Sequence, residues 1–566
     1  MTTVANIRQW KPALLDEAID DLKREEDRLV RLDDELATSG KPAEWQGEAA
    51  KAAEDRHRDL GEKLRELVVE VAAVRRALIE NVDEVQAVQR QLAEADSLAS
   101  SYRFRICDDG RIEDLEHVVV GGPGSRLDEE DRYRIQQVRP DLVDRVERLL
   151  AQADDADAEL TKVLRDADLN LMETGEGGSL ADAAALGDAH GLAETVEPPP
   201  PGTPADNARW WESLPAETRA AMAEAPPPWL GNMDGIPATI RHTANVNRLD
   251  DERVMLQAQA AQLRSKMDKP YPGPGGRFNK SLDQAELDRV DAKLKSLDEI
   301  EKVLGPERDQ RQLLVMDSSG ERMKAAVATG DVDTAKHVAV FTPGLESAVE
   351  KGSLQDYDLA MEQLRQDAQR QSFRYGDSGE VAAVTWIGYE APQLSEIPEP
   401  SDSVASASSA KRGAEDLANF YRGINESRSD DPHLVALGHS YGSTTTGYAL
   451  QQEGTGVDDA VVMGSPGLGT PLYSGVNVPD GHTYNLESDW DPVADLGRFG
   501  ADPSDMPSVD NLSTQESVSA DGQQLSRSVG HNTGGGTGYL DAGTTSQYNV
   551  SVVVSGLPER AVDAKE

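Results

Sequence analysis

The chain has 566 residues, a formal net charge of −46 and an aromatic content of only 5%. This charge argues against nucleic acids and anionic membrane surfaces as partners, because both carry the same sign. With a single cysteine, Cys107, an intramolecular disulfide is impossible and a cysteine-based metal site is not expected.

The N-terminal sequence MTTVANIRQWKPALL has no apolar run followed by a cleavage site, so no secretory signal peptide is predicted. No apolar stretch reaches the roughly 18 residues that a transmembrane helix needs. We therefore expect a protein that is cytoplasmic, or exported without a cleavable signal peptide.

Residues 1–172 are predicted to form a helical domain. Apolar residues recur at steps of three and four over residues 13–38, and again from Leu60 to Val85 with the spacing of a coiled-coil seam. A break between these patterns predicts an antiparallel helical hairpin. Residues 103–120 predict a short β-hairpin, and a further helix is expected from about Glu129 to Met172.

The break in the hairpin contains Trp45-Gln46-Gly47. Hairpin length, a mixed acidic and basic outer face and this W-x-G sequence make residues 1–100 resemble the WXG-type helical hairpins associated with type VII secretion. The resemblance implies a small helical partner protein. The Y-x-x-x-D/E signal that often follows such hairpins is missing after both Tyr102 and Tyr133. The alternative interpretation is that Trp45 only packs at the bend.

Residues 173–208 are predicted to be a flexible linker rich in Pro, Gly and Ala, with four consecutive prolines at Pro198–Pro201. An accessory helical segment is expected over residues 209–308, with a second hairpin near 246–267 and 281–303. This segment begins with three tryptophans, for which core or interdomain packing is the expected role: Trp210, Trp211 and Trp229.

Residues 309–566 alternate between strand and helix patterns, which predicts an α/β domain with a mostly parallel sheet of eight strands. A serine motif follows the fifth strand, and this is the strand order of the α/β-hydrolase fold. The predicted strands are Gln312–Asp317, Lys324–Thr329, His337–Phe341, Val381–Ile387, Leu434–Leu437, Ala460–Met463, Thr483–Leu486 and Val550–Val554. Helices are expected near residues 353–371, 404–427 and 443–452.

The serine motif is Gly438-His439-Ser440-Tyr441-Gly442, which fits G-x-S-x-G. Between a strand and a helix, this pattern predicts a nucleophile elbow in which small residues two before and two after the serine avoid clashes. Ser440 is therefore the candidate nucleophile, and packing is the expected role of His439. The alternative is an inert glycine-rich turn.

A catalytic acid is expected after the seventh strand and a histidine after the acid, because triads in this fold run in that order. Asp491, which precedes Pro492 a few residues beyond the strand, is the predicted acid, and Asp489 is the rival. His531 is the one histidine that follows either candidate, so it is the predicted base.

Two backbone N–H groups are expected to form an oxyanion hole. One should belong to Tyr441, the residue after the nucleophile, and the other to Leu345 in the loop after the third strand, where Gly344 permits an unusual backbone. The sequence contains no metal-ligand spacing and no phosphate-binding loop, so no cofactor is predicted.

The tryptophan-rich segment, the stretch Leu230-Gly231-Asn232-Met233-Asp234-Gly235-Ile236-Pro237 and the elbow together resemble a family of actinobacterial α/β-hydrolases of undefined substrate. The similarity runs from about Trp210 to the C-terminus. Together with the predicted triad, it implies a serine hydrolase that cleaves an ester, thioester or amide of a small acyl substrate, most simply a carboxylic ester, through an acyl-enzyme. The alternative is a secretion-linked interaction protein whose hydrolase domain is a degenerate scaffold.

Overall fold

A computed structural model describes most of the chain, and its residues divide into two compact units. The described residues are 2–38, 46–115, 134–168, 172, 179–269, 276–305, 311–393, 406–472, 475–494 and 498–564. One unit, here called the helical unit, comprises residues 1–198 and 215–227, and the other, the sheet unit, comprises residues 199–214 and 228–566.

Helices and strands are numbered in chain order. The helices are α1 (Val4–Gln9), α2 (Pro12–Thr38), α3 (Glu48–Ser101), α4 (Arg139–Asp168), α5 (Leu180–Glu194), α6 (Pro204–Ser213), α7 (Ala216–Glu224), α8 (Ala238–Asn247), α9 (Leu249–Met267), α10 (Gly276–Leu304), α11 (Ser353–Tyr375), α12 (Ser408–Glu426), α13 (Tyr441–Leu450) and α14 (Thr545–Val554). The strands are β1 (Phe104–Ile106), β2 (Ile112–Asp114), β3 (Arg311–Asp317), β4 (Lys324–Thr329), β5 (His337–Thr342), β6 (Val381–Ile387), β7 (His433–His439), β8 (Asp459–Met463), β9 (Thr483–Leu486), β10 (Asp510–Leu512), β11 (Ser517–Val518) and β12 (Gln524–Leu525).

The helical unit contains the predicted long helices. Helices α2 and α3 pack on each other, and α4 and α5 pack on α3. The β-hairpin predicted near residues 103–120 is confirmed, since β1 and β2 pair antiparallel on either side of Gly110, whose φ is 84°. Trp45 of the W-x-G sequence lies outside the described residues. Within the described ranges, no helix combines the length and apolar character needed to cross a bilayer.

The structure differs from the flexible linker predicted for residues 173–208, because α5 lies within it. Ser179 caps this helix by accepting the N–H of Asp182. A Cβ at Gly187 would collide with the backbone carbonyl of Val69, and one at Gly191 with the carbonyl of Ala73. The glycines therefore let two helix backbones come into direct contact, and this tertiary packing overrides the weak periodicity of the segment.

The sheet unit contains an eight-stranded sheet in the order β10-β9-β8-β7-β5-β6-β4-β3. Strands β5 to β10 pair in parallel, whereas β4 runs antiparallel to both β3 and β6. The prediction of a mostly parallel sheet is thus confirmed. One face packs against α12 and α13 through residues such as Leu417, and the other against α11 and α14 through residues such as Met361.

The prediction of a final strand over Val550–Val554 is wrong. These residues form the last turns of α14, and the eighth strand is instead β10. All ten residues of α14 are buried, the polar ones as well as the valines, so the helix shows no amphipathic stripe. A short run of valines of this kind cannot be assigned to strand or helix by periodicity alone.

Asn232, from the stretch Leu230–Pro237, and Asn245, from the following helix α8, have a structural role in the sheet unit. The Asn232 side chain donates to the Met316 carbonyl and accepts the Met316 N–H, each at 2.9 Å, as a neighbouring strand would. Asn245 donates to the carbonyl of Leu313 at 3.0 Å. These contacts cover the edge strand β3, whose unpaired backbone groups would otherwise be open to another chain. Trp210 lies 5.6 Å from Trp229, ring centre to ring centre, in agreement with a packing role.

Candidate active site

Strand β7 passes into helix α13 through Ser440, whose backbone is held at φ 55° and ψ −133°. This conformation is strained for a residue with a side chain, and such strain is the mark of a nucleophile elbow. A Cβ at Gly438 would lie 2.6 Å from the Ser443 Cα, and one at Gly442 would lie 2.6 Å from the Pro343 carbonyl. The two glycines of the motif are therefore required by the close approach of strand, helix and neighbouring loop.

The structure brings the three predicted triad residues together. The Oγ of Ser440 lies 2.7 Å from Nε2 of His531. The Nδ1 of His531 lies 2.8 Å and 2.9 Å from the two carboxylate oxygens of Asp491. A neutral imidazole with its proton on Nδ1 donates to Asp491 and can accept the Ser440 proton at Nε2, which is the arrangement of a nucleophile, a general base and an orienting acid.

Asp491 is 3% exposed and is held ionised by its neighbours. Its Oδ1 accepts the N–H groups of Val493 and Ala494 at 3.0 Å and 3.3 Å, and its Oδ2 accepts the hydroxyl of Tyr539 at 2.7 Å. Burial alone raises the pKa of this carboxyl, but the hydrogen bonds from His531 and Tyr539 outweigh it and lower the pKa to about 2. Asp491 therefore carries its charge throughout the neutral range.

The rival acid, Asp489, is oriented toward other groups. Its Oδ1 accepts the side-chain amide of Gln515 at 3.1 Å, and its backbone carbonyl accepts the N–H of Gly530 at 2.8 Å. Asp489 thereby connects the acid loop to the residue that precedes His531 in the chain. The geometry favours Asp491 over Asp489 as the partner of the imidazole.

Tyr539 is a site residue that the sequence reasoning missed. It is completely buried, and its hydroxyl accepts the Ser488 N–H at 2.9 Å while donating to Asp491. Burial and the adjacent negative charge of Asp491 raise the pKa of its hydroxyl, so it stays a donor. The only signal in the sequence was its place at the end of the glycine-rich stretch after His531.

His439 packs beside the triad, as expected, and also makes a specific hydrogen bond. Its Nε2 lies 2.7 Å from the backbone carbonyl of His531, so this nitrogen must carry the proton and donate. The two imidazole rings are 4.8 Å apart, centre to centre. Burial, followed by repulsion from His531, lowers the pKa of His439 to about 3. A neutral His439 therefore ties the loop of the base to the residue before the nucleophile.

The predicted oxyanion loop lies directly against the elbow. A Cβ at Gly344 would lie 2.7 Å from the Ser440 Cβ and 2.9 Å from the Tyr441 nitrogen. Leu345 follows, and among the described residues no acceptor takes its N–H. The hydroxyl of Tyr389 donates to the Pro343 carbonyl at 2.8 Å and holds the start of this loop. Both predicted donor residues thus border the nucleophile, at the N-terminus of α13 where the helix dipole favours negative charge.

Ser440 opens onto a cavity of about 720 Å³, a volume within the usual range for small-molecule sites. Its lining includes the three residues predicted for the oxyanion hole, together with His439 and His531. Within the described ranges, no group of three or more His, Cys, Asp or Glu side chains is placed to hold a metal ion. The chemistry that these residues can supply is nucleophilic attack assisted by a general base.

Comparison with known proteins agrees with the fold of the sheet unit. The profile of the alpha/beta hydrolase family matches residues 318–501, which include the oxyanion loop, the elbow and Asp491. His531 lies beyond the matched stretch.

The chain is similar to several mycobacterial proteins whose names assign no activity. Over 312 residues it is 29% identical to the uncharacterized protein Rv2079 of Mycobacterium tuberculosis (strain ATCC 25618 / H37Rv), a match that covers 54% of this chain and 46% of that protein. Over 210 residues it is 33% identical to the uncharacterized proteins Rv0963c of the same strain and Mb0988c of Mycobacterium bovis, covering 36% of this chain and 76% of each relative. The chain thus spans about half the length of the first relative and three quarters of the others. On the fold, the match to the family profile and these relatives, the chain belongs to the alpha/beta hydrolase family.

Proposed function

We propose that the protein is a serine hydrolase that cleaves a carboxylic ester through an acyl-enzyme. The observation that carries the proposal is the hydrogen-bonded chain from Ser440 through His531 to Asp491, built on a strained elbow at the floor of a cavity. Fold alone does not imply activity. A degenerate scaffold, however, has no physical reason to keep three side chains that are far apart in the sequence within hydrogen-bonding distance of one another.

In the proposed reaction, Ser440 Oγ attacks the ester carbonyl carbon while His531 Nε2 takes the hydroxyl proton. The carbonyl oxygen becomes an oxyanion that the N–H groups of Leu345 and Tyr441 stabilise. The tetrahedral intermediate then collapses, the bond to the alcohol oxygen breaks, and His531 gives its proton to that oxygen. A water molecule repeats the sequence on the acyl-enzyme and releases the acid.

The remaining residues support this cycle from outside the reacting atoms. Asp491 holds the Nδ1–H tautomer of His531 and balances the imidazolium charge that forms in each half-reaction. Tyr539 fixes the carboxylate of Asp491, and Tyr389 fixes the oxyanion loop. Burial keeps His439 neutral beside the imidazolium of His531. A positive charge on His439, whose ring lies 4.8 Å from that of His531, would oppose formation of the imidazolium.

The test is covalent labelling by a fluorophosphonate probe together with hydrolysis of p-nitrophenyl esters. We expect the wild type to be labelled and Ser440→Ala to be neither labelled nor active. Asp491→Asn should lose on the order of a thousandfold or more in kcat, because the wrong tautomer of the base is then favoured.

Asp489→Asn is the matched control, two residues away, and should retain activity within a fewfold of the wild type. Absence of labelling in folded wild-type protein would refute the proposal. A larger loss in Asp489→Asn than in Asp491→Asn would reassign the acid.

We also propose a binding role for the helical unit, as an export-linked module that recognises a small helical partner. The α2–α3 hairpin supports it, whereas the packing of α4 and α5 on α3 within the same chain weighs against it, because they already cover part of the hairpin. Co-expression of the full chain with a panel of small WXG-type helical hairpin proteins, followed by size-exclusion chromatography, is the test. A complex that Trp45→Ala abolishes would support the role, and a full chain that binds none of them would refute it.

A further inference from the structure

The cavity above Ser440 has one polar wall, formed by the residues that directly follow His531. Asn532, Thr533, Gly534 and Gly535 all line it. Their backbone is anchored, since the Asn532 carbonyl accepts the Tyr539 N–H at 3.0 Å and the Thr533 carbonyl accepts the Leu540 N–H at 2.8 Å. Asn532 and Thr533 are therefore held through their main-chain carbonyls, and farther along the loop the Asp541 carboxylate accepts the N–H groups of Gly536 and Gly538.

The side chains of Asn532 and Thr533 are not used within the protein. Among the described residues, neither the Asn532 amide nor the Thr533 hydroxyl has a hydrogen-bond partner. Together they offer donors and acceptors to whatever occupies the cavity next to the base. The adjacent Gly534 and Gly535 carry no side chain, which leaves room for a substrate group and keeps their peptide groups accessible to it.

The other lining residues are different in character. Leu345 from the loop after β5, Tyr357 and Ala360 from α11, and Val493 and Phe499 from the region after β9 present mainly apolar surface. The charged side chains among the described lining residues are those of Asp356 and Arg498, and both residues are exposed, so their charges keep their contact with solvent. An uncharged apolar group is thus the natural occupant of this part of the cavity, because its burial is favourable and no charge is desolvated.

The mechanism decides which part of the substrate meets which wall. His531 Nε2 must reach the leaving alcohol oxygen to protonate it, so the alcohol lies against His531 and the residues after it. The acyl chain then extends toward the apolar lining. Building on the proposed ester hydrolysis, we infer that the substrate is an ester of an uncharged, apolar acid with a polyhydroxylated alcohol such as glycerol or a sugar.

The inference makes a comparative test possible with two esters of the same acid. In the wild type, kcat/KM for 1-monooctanoylglycerol should exceed kcat/KM for ethyl octanoate by about tenfold or more. One or two neutral hydrogen bonds from Asn532 and Thr533 to the free hydroxyls account for that factor, and tenfold corresponds to about 1.4 kcal/mol. In the double variant Asn532→Leu/Thr533→Val the ratio should fall to near one. Thr537→Val, an exposed position on the same loop outside the cavity lining, is the matched control and should keep the wild-type ratio.

A second comparison tests the acyl side. Ala360→Trp should lower kcat/KM for p-nitrophenyl octanoate about tenfold relative to p-nitrophenyl acetate, because the larger side chain fills space that the longer chain needs. Leu359→Trp is the control, since Leu359 is the neighbouring residue of α11 and is 58% exposed. Equal effects of the two variants would overturn the assignment of the acyl wall.

Labelling of Ser440 by a fluorophosphonate in the same samples separates this inference from the proposed function. Labelled wild-type enzyme with equal rates on the glycerol and ethyl esters would overturn the alcohol assignment while ester hydrolysis stands. A double variant that keeps the wild-type ratio would overturn the role of Asn532 and Thr533. Unlabelled, inactive wild-type protein would refute both the inference and the function on which it rests.

Discussion

Replacing Gly344 by alanine tests whether the loop after β5 forms the oxyanion hole. The new methyl group would lie 2.7 Å from the Ser440 Cβ, 2.9 Å from the His439 carbonyl oxygen and 2.9 Å from the Tyr441 nitrogen. Carbon atoms in favourable contact are about 3.5–4.0 Å apart, so each of these approaches is too close by most of an ångström. Two of the three opposing atoms belong to the backbone of the elbow and cannot rotate away.

The loop must therefore move away from the nucleophile by on the order of 1 Å, and the Leu345 N–H moves with it. Loss of one oxyanion donor typically lowers kcat by about 10²–10³-fold, or about 3–4 kcal/mol of transition-state stabilisation. A displaced donor is weakened and not removed, so we expect kcat of Gly344→Ala to fall about a hundredfold. KM should change much less, because the oxyanion exists only in the transition state and the intermediate.

The assay is steady-state hydrolysis of p-nitrophenyl butyrate, with the active sites counted by fluorophosphonate labelling. Gly475→Ala is the matched control, because a Cβ there meets only Ser508 atoms at 3.6 Å and 3.7 Å, which is ordinary contact. Gly344→Ala should be folded, with a melting temperature close to that of Gly475→Ala. A kcat for Gly344→Ala within threefold of the wild type would refute the assignment of this loop.

Three further predictions follow from the surroundings of the triad and from the helical unit. Tyr539→Phe removes a hydrogen bond to the charged Asp491 and should lower kcat at neutral pH about tenfold with KM unchanged; full activity would show that the tyrosine only fills space. Because burial lowers the pKa of His439 from 6.5 to about 3, the unfolded chain binds a proton below pH 6.5 that the native protein does not. The free energy of unfolding should therefore drop by up to about 3 kcal/mol between pH 7 and 4. The His439→Gln variant, compared with the wild type by denaturant unfolding at both pH values, should lose that part of the pH dependence. If its free energy of unfolding depends on pH as steeply as that of the wild type, the buried neutral histidine is contradicted. Gly187→Val forces α5 away from the Val69 backbone and should lower the melting temperature of the helical unit by several degrees, measured by circular dichroism, whereas Gly61→Ala, whose Cβ would meet only the end of the Arg65 side chain at 3.9 Å, should not.

The chemistry-bearing residues were predictable because each is constrained along the chain. Ser440 is marked by its own neighbours, since an elbow needs glycines at fixed offsets between a strand and a helix. His531 followed by elimination, as the one histidine after the candidate acids. The choice of Asp491 over Asp489 rested on its position before a proline, and the geometry favours the same residue.

The features that sequence reasoning missed depend on contacts between residues far apart in the chain. Tyr539 reaches Asp491 across 48 positions, and no local pattern marks a tyrosine for that role. The helix at α5 exists because Gly187 and Gly191 fit against α3, whereas its own sequence of alanine, glycine and aspartate has no strong apolar stripe. Helix α14 was taken for a strand because a fully buried helix and a buried strand share the same run of valines.

The division of the chain into units has a consequence for how the protein is made on the ribosome. The polypeptide crosses from one unit to the other after Pro198, Leu214 and Pro227. Helix α6, which belongs to the sheet unit, is therefore synthesised before α7, the last helix of the helical unit. Helix α6 packs on α12, which begins roughly 200 residues later. At a translation rate of about 5–20 residues per second, α6 waits on the order of ten seconds or more for α12 to emerge. During that interval the surface of α6 that later contacts α12 is left uncovered in the nascent chain.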